Sequence, residues 1–238
     1  MDKRLSMKHL VLAVFHKLPL VKENFELAFA TNKRMGAIFN VSPIIIPTGD
    51  KAPPEIPKVI FKTEKGKAIT VSQIVTNIQI DVLDTPGENP SENILSEFLE
   101  IGNEAISLVV EDFECGISRI GVVLVGNLEL DTTGAEFIKE TYLKGYDEQL
   151  FGSEVHWLTQ PSLDGEKINR WVRVKSDSEN GVANKFIEVI IDSNIMHEPE
   201  RTVSIKDARD FFKTCINDIN DNFNAIIKSD ELGGDKDE

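Results

Sequence analysis

Between Ser91 and Leu130 the chain joins a broad apolar helix to its most hydrophobic strand, and any fold it adopts has to bury both. Ile94, Leu95, Phe98, Leu99, Ala105, Ile106, Val109, Val110 and Phe113 recur at helical spacing, which makes a wide face for burial. Gly116 is placed to stop that helix. The strand from Ile117 to Leu130 contains Val122 to Val125, apolar on both faces, as expected of a strand covered on both sides or at a sheet centre. This stretch is core, with no reactive pattern in it.

Ahead of it, His9 to Phe15 is apolar on both faces and reads as an internal first strand. A signal peptide is the poorer reading, because His9, His16 and Lys17 interrupt the run and no small-residue cleavage site follows. Val21, Phe25, Ala28 and Phe29, with Met35 and Ile38, predict a helix over 21–39. From Asn40 to Pro57 come Pro43, Pro47, Pro53, Pro54 and Pro57, a composition that reads as a long loop. Ile44, Ile45 and Ile46 at its centre need a cover, either their own domain or a partner chain. Lys58 to Thr63, a turn at Glu64 to Lys67 and a returning strand from Ala68 to Leu83 read as one hairpin, with Ile78, Ile80 and Val82 alternating against Asn77, Gln79 and Asp81. Asp84 to Pro90 is a loop, and Ser91 is the expected cap of the next helix.

After residue 131 a short helix from Gly134 to Lys144 precedes three strands: Glu154 to Thr159, Lys167 to Lys175 and Lys185 to Asp192, with turns at Asp164-Gly165 and Asn180-Gly181. Ser204 caps a last helix, with Asp207 as the acid of a capping box and an apolar stripe of Ile205, Ala208, Phe212, Cys215, Ile219, Phe223 and Ile226. The expected fold is α+β: a two-layer, ferredoxin-like β-α-β-β-α-β half over residues 1–130, an α-β-β-β-α half over 131–229 and a disordered acidic tail over 230–238. The rival is one larger sheet in which the strands of both halves are continuous.

At 238 residues the chain has room for such a core, and no stretch approaches the roughly 18 apolar residues of a membrane span. Its two cysteines, Cys115 and Cys215, fit neither a disulfide framework nor a metal-ligand spacing, which points to a reducing compartment, the cytoplasm. A formal charge of −14 opposes a general role in coating phosphate backbones.

Phosphate-binding, dinucleotide and nucleophile-elbow motifs are absent from the sequence. His197-Glu198-Pro199-Glu200-Arg201 is not a zinc motif, because Arg201 stands at the second ligand position and Pro199 breaks the helix. No metal and no cofactor is expected. Glu154 and His156 share one face of a strand, with Val155 and Trp157 on the other, so His156 is either an ordinary surface residue or an acid–base candidate. Trp171, Arg173 and Lys175 alternate on one side of the following strand, a pattern of stacking and charge neutralisation, with Trp157 nearby on the preceding strand. The blander reading makes Trp157 and Trp171 a cross-strand core pair.

Pro53-Pro54 leading into Lys58 to Val71, a Ser91-type helix with Phe98, a strand like Ile117 to Leu128 containing Gly126-Asn127, and a closing helix from Ala208 to Ile227 together resemble a family of uncharacterised proteins found sporadically in bacteria and archaea. The aromatic residue that family often shows before the asparagine is Gly126 here. The resemblance implies a fold and a patchy distribution, which is common among horizontally exchanged accessory or defence genes, and no activity. The leading expectation is therefore a non-catalytic protein that binds a protein partner, or itself, through the proline-rich segment and sheet edges. The alternative is a nucleotide- or nucleic-acid-acting protein using Glu154, His156, Arg173 and Lys175.

Overall fold

The computed structural model describes residues 5–19, 23–49, 52–82, 91–145, 148–150, 152–163, 166–179, 182–195 and 202–218. Its frame is one antiparallel sheet. The first strand, β1 (Leu5–His16), lies between β5 (Val75–Asp81) and β6 (Ile117–Glu129). Beyond β5 come β4 (Lys67–Val71), β3 (Val59–Lys62) and β2 (Ile44–Ile45). Beyond β6 come β12 (Phe186–Ile195), β9 (Glu166–Ser176) and β7 (Ser153–Thr159), while the short β8 (Ser162–Leu163) pairs the start of β9. The strands β10 (Ser178–Glu179) and β11 (Val182–Ala183) form a separate ribbon. The α+β class is thus observed, and the strands on either side of residue 131 belong to one sheet, because β6 pairs β1 on one side and β12 on the other.

Register sorts the side chains. Ile80, Leu10, Leu124, Ile191, Val172 and Trp157 form one row across six strands. The adjacent row, Gln79, Val11, Val123, Asp192, Trp171 and Leu158, points the other way, since successive strand residues alternate faces. The four helices among the described residues all lie on the first side. Phe39 of α1 (Asn24–Phe39) meets Phe61, Gly102 of α2 (Ser91–Ser107) meets Leu12, Tyr142 of α3 (Gly134–Tyr142) meets Trp157, and Phe212 of α4 (Ile205–Asn217) closes on Gly102. Among the described residues no helix covers the second side.

Several boundaries differ from the sequence reading, each for a local reason. The returning strand of the first hairpin folds back on itself as β4 and β5. Ser72, which is buried, makes that turn without glycine or proline: its Oγ accepts from the N–H groups of Ile74 and Val75 and donates to the Val75 carbonyl. Ser72→Ala leaves those donors without their acceptor and is expected to cost about 1–2 kcal/mol, read as a lower thermal midpoint; an unchanged midpoint contradicts the assignment.

The proline-rich segment is not all loop, because Ile44 and Ile45 pair Ile60 and Val59 as an edge strand. Gly66 does make the expected hairpin turn, at φ 79° and with a Cβ position 2.6 Å from the Asp81 carbonyl oxygen. The helix after Ser91 ends in a π turn over Leu108–Asp112, closed by Phe113 N–H donating to the Leu108 carbonyl. Glu114, and not Gly116, takes the left-handed conformation there, at φ 55°. Ser204 caps α4 as expected, its Oγ accepting from Asp207 N–H at 3.1 Å. The expected turns at Asp164-Gly165 and Asn180-Gly181, the loop at Asp84 to Pro90, the residues around His197 and everything after Asp218 lie outside the described residues.

Candidate binding surfaces

Two surfaces stand out, one on each side of the sheet. The first is on α1. Leu27, Ala28, Thr31, Met35 and Phe39 form its buried stripe, which leaves Phe25 and Phe29, one helical turn apart, 71% and 73% exposed. The sequence reading counted both phenylalanines in the apolar face; the helix carries two apolar stripes and buries one. A groove of about 890 Å³ runs along the ridge, lined by Ala28, Gly36, Val41, Pro43 and Ile45, and Leu27, Ala30 and Phe113 line a hollow on the other flank.

Local chemistry fixes this ridge. Asn40 ends α1 in the left-handed conformation, at φ 47°, with its N–H on the Gly36 carbonyl. Asn24 Nδ2 donates to the Ile46 carbonyl at 2.7 Å, tying the start of α1 to the β2 segment. Arg34 bridges α1 to the end of α2: its guanidinium meets Asp112, Glu111 at 2.7 Å and Glu104 at 3.3 Å. Desolvation opposes that charge, but the hydrogen bond and charge of Asp112, followed by Glu111 and Glu104, outweigh it and raise the Arg34 pKa further. The π turn places Glu111 and Asp112 for this contact.

Of the three isoleucines, Ile44 is 58% exposed on the uncovered side of the sheet. Ile45 packs against the core from the helix side, and the Ile46 N–H donates to the Lys58 carbonyl at 2.9 Å.

The second surface is the uncovered side itself, near β9 and β7. Glu154, His156, Trp171, Arg173 and Lys175 all lie there. Trp157 does not: it is opposite Val172, on the helix side, with its ring 5.6 Å from that of Tyr142. Trp157 and Trp171 are therefore neither a core pair nor a joint stacking platform, because their strand positions face opposite ways. Arg173 Nε sits 3.1 Å from Glu154 Oε1, and His156 Nδ1 is 4.0 Å from the same oxygen. Lys175 Nζ bonds Asp177 at 2.8 Å, and that hydrogen bond, followed by the charge of Asp177, raises its pKa.

Trp171, His156 and Arg173 wall a hollow of about 390 Å³ together with Val123, Ile190 and Asp192. Val123, Ile190 and Asp192 had no motif to mark them; the one available signal is the carboxylate that ends the apolar run Val189-Ile190-Ile191. Among the described residues no three of His, Cys, Asp and Glu converge as metal ligands, and no helix is long and apolar enough to cross a membrane.

No family model matches the chain, and no curated protein matches it. Among solved structures it is similar to the rolling circle replication initiator protein from Geobacillus stearothermophilus, with 10% identity over 91% of this chain and 80% of that one and a TM-score of 0.31. Two backbones that differ this much lend each other no function.

Proposed function

We propose that this chain is a non-catalytic binding protein whose contact surface for another protein is the Phe25–Phe29 ridge of α1 with the adjoining β2 edge. The observation that carries the reading is the exposure of two large aromatic rings one turn apart, beside apolar grooves. Exposed apolar surface rimmed by polar residues marks interaction sites, and buried aromatic anchors dominate interface energies. β2 is an edge strand next to the ridge, with β3 as its one neighbour among the described strands, and its shortness and flanking prolines limit indiscriminate strand pairing.

Phe25→Ser with Phe29→Ser is expected to weaken partner binding by roughly 30-fold or more, as loss of a hot spot of about 2 kcal/mol implies, while moving stability by only about 0.5 kcal/mol. Co-purification from the native host with parent and variant tests this, alongside solution mass to separate a foreign partner from a second copy of the chain. An identical partner set and identical mass in both would overturn the reading.

We also read β4, β5, β1 and β6, with α1 and α2 on one side, as a two-layer ferredoxin-like core. The support is the strand order together with the β-α and α-β connections, with β2–β3 added at one edge and β12, β9 and β7 at the other. On that reading the division near Asp131 separates two halves that share a sheet.

A further inference from the structure

We propose that the hollow over β12 and β9 binds a planar nitrogen heterocycle bearing an exocyclic amine, a nucleobase presented as the free base or nucleoside rather than as a nucleotide. It lies on the opposite side of the sheet from α1 and does not depend on the ridge.

Trp171 is 45% exposed although β9 is an inner strand with neighbours on both edges, so its exposure is not that of a sheet margin. A half-open indole is a stacking platform that loses little rotamer freedom on binding. Below it, Val123 and Ile190 give an apolar floor. The His156 ring stands on the next strand, its centroid 6.3 Å from that of Trp171 and tilted by 49°, and makes a second wall.

The polar groups select what stacks there. Asp192 is cross-strand from Trp171, and its Oδ1 accepts from Asn194 Nδ2 across 3.4 Å. A carboxylate offers about four lone-pair sites and no donor, so it takes a ligand edge that donates, such as an amine. Phosphate finds a poor welcome. Arg173 is engaged by Glu154 and Lys175 by Asp177, and the whole chain carries −14. A base and its sugar suit the volume of about 390 Å³, within the usual range of small-molecule sites.

The test uses the intact protein and the two tryptophan indole N–H signals in a nitrogen–proton correlation spectrum, with Trp171→Phe identifying which is which. Adenosine is expected to shift the Trp171 signal saturably and leave that of Trp157 in place. Asp192→Asn, whose amide oxygen still accepts but carries no charge, is expected to weaken adenosine roughly tenfold, the difference between a charged and a neutral hydrogen bond. Uridine, whose base has no exocyclic amine, and adenosine monophosphate are expected to bind more weakly than adenosine. The proposal fails if millimolar adenosine moves neither signal, if the monophosphate binds more tightly than adenosine, or if Asp192→Asn leaves adenosine binding unchanged.

Discussion

Phe212→Ala is expected to destabilise the protein by roughly 3–5 kcal/mol, the usual cost of deleting a buried aromatic ring. Phe212 is fully buried where α4 meets α2, and its ring stands edge-on to Phe98 with centroids 5.1 Å apart and planes at 87°. That pairing adds to the area term. Gly102 shows how closely the helices approach: a Cβ there would collide with the Phe212 ring and lie 2.9 Å from Leu12 Cδ2 on β1. Three elements therefore share one contact, and an alanine at 212 leaves a void that none of them can close without moving another. For a chain of this size the thermal midpoint is expected to fall by roughly 6–20 °C. A fall of about 3 °C or less would mean that α4 does not pack on α2 in this way.

Acidification from pH 7 to pH 4 is expected to cost about 3 kcal/mol through His16 alone. His16 is 2% exposed; its Nε2 shares a 2.8 Å hydrogen bond with Thr76 Oγ1, and its buried Nδ1 has no partner among the described residues. The Phe113 ring packs edge-on beside the imidazole, with 6.2 Å between the ring centroids. Burial lowers its pKa from the ordinary 6.5 to about 4. The unfolded chain therefore takes up the proton first, near pH 6.5, and the folded chain only near pH 4. Stability rises with pH across that window, is complete above it and is fully lost below it. Denaturant unfolding at half-unit steps from pH 7 to pH 4 checks this against His16→Gln, which keeps a donor for Thr76 and cannot titrate. The variant is expected to lose that part of the slope; equal slopes in both proteins would place the titration elsewhere.

Where local pattern decides structure, the sequence was legible. The stripe through Ala208, Phe212 and Cys215 with Ser204 ahead of it is a helix because spacing and cap agree, and Gly66 turns a hairpin because its backbone takes positive φ. Where pairing between distant segments decides, it was not. Nothing local says that β12 should lie beside β6, since alternation at Ile187, Val189 and Ile191 names a buried face and no neighbour. Ser72 turns the chain with a hydroxyl where glycine or proline would have announced it. Pro43 and Pro47 hid the β2 edge, because two paired residues fit between prolines at a sheet margin.

The binding surfaces divide in the same way. His156, Trp171 and Arg173 showed themselves through alternation on single strands, but Val123, Ile190 and Asp192 join them only once β6, β12 and β9 are aligned. Phe25 and Phe29 look like core until Leu27, Thr31 and Met35 are seen to take the buried side of α1.

Attenuation of methyl signals by a soluble paramagnetic agent puts the uncovered side of the sheet to the most direct test. With every described helix on the Leu124 and Ile191 side, the methyls of Val123, Val125 and Ile190 are expected to lose intensity while those of Leu124, Leu128 and Ile191 keep it. Equal protection of both sets would show that something covers the second side, and the single-sided packing of the helices would be wrong.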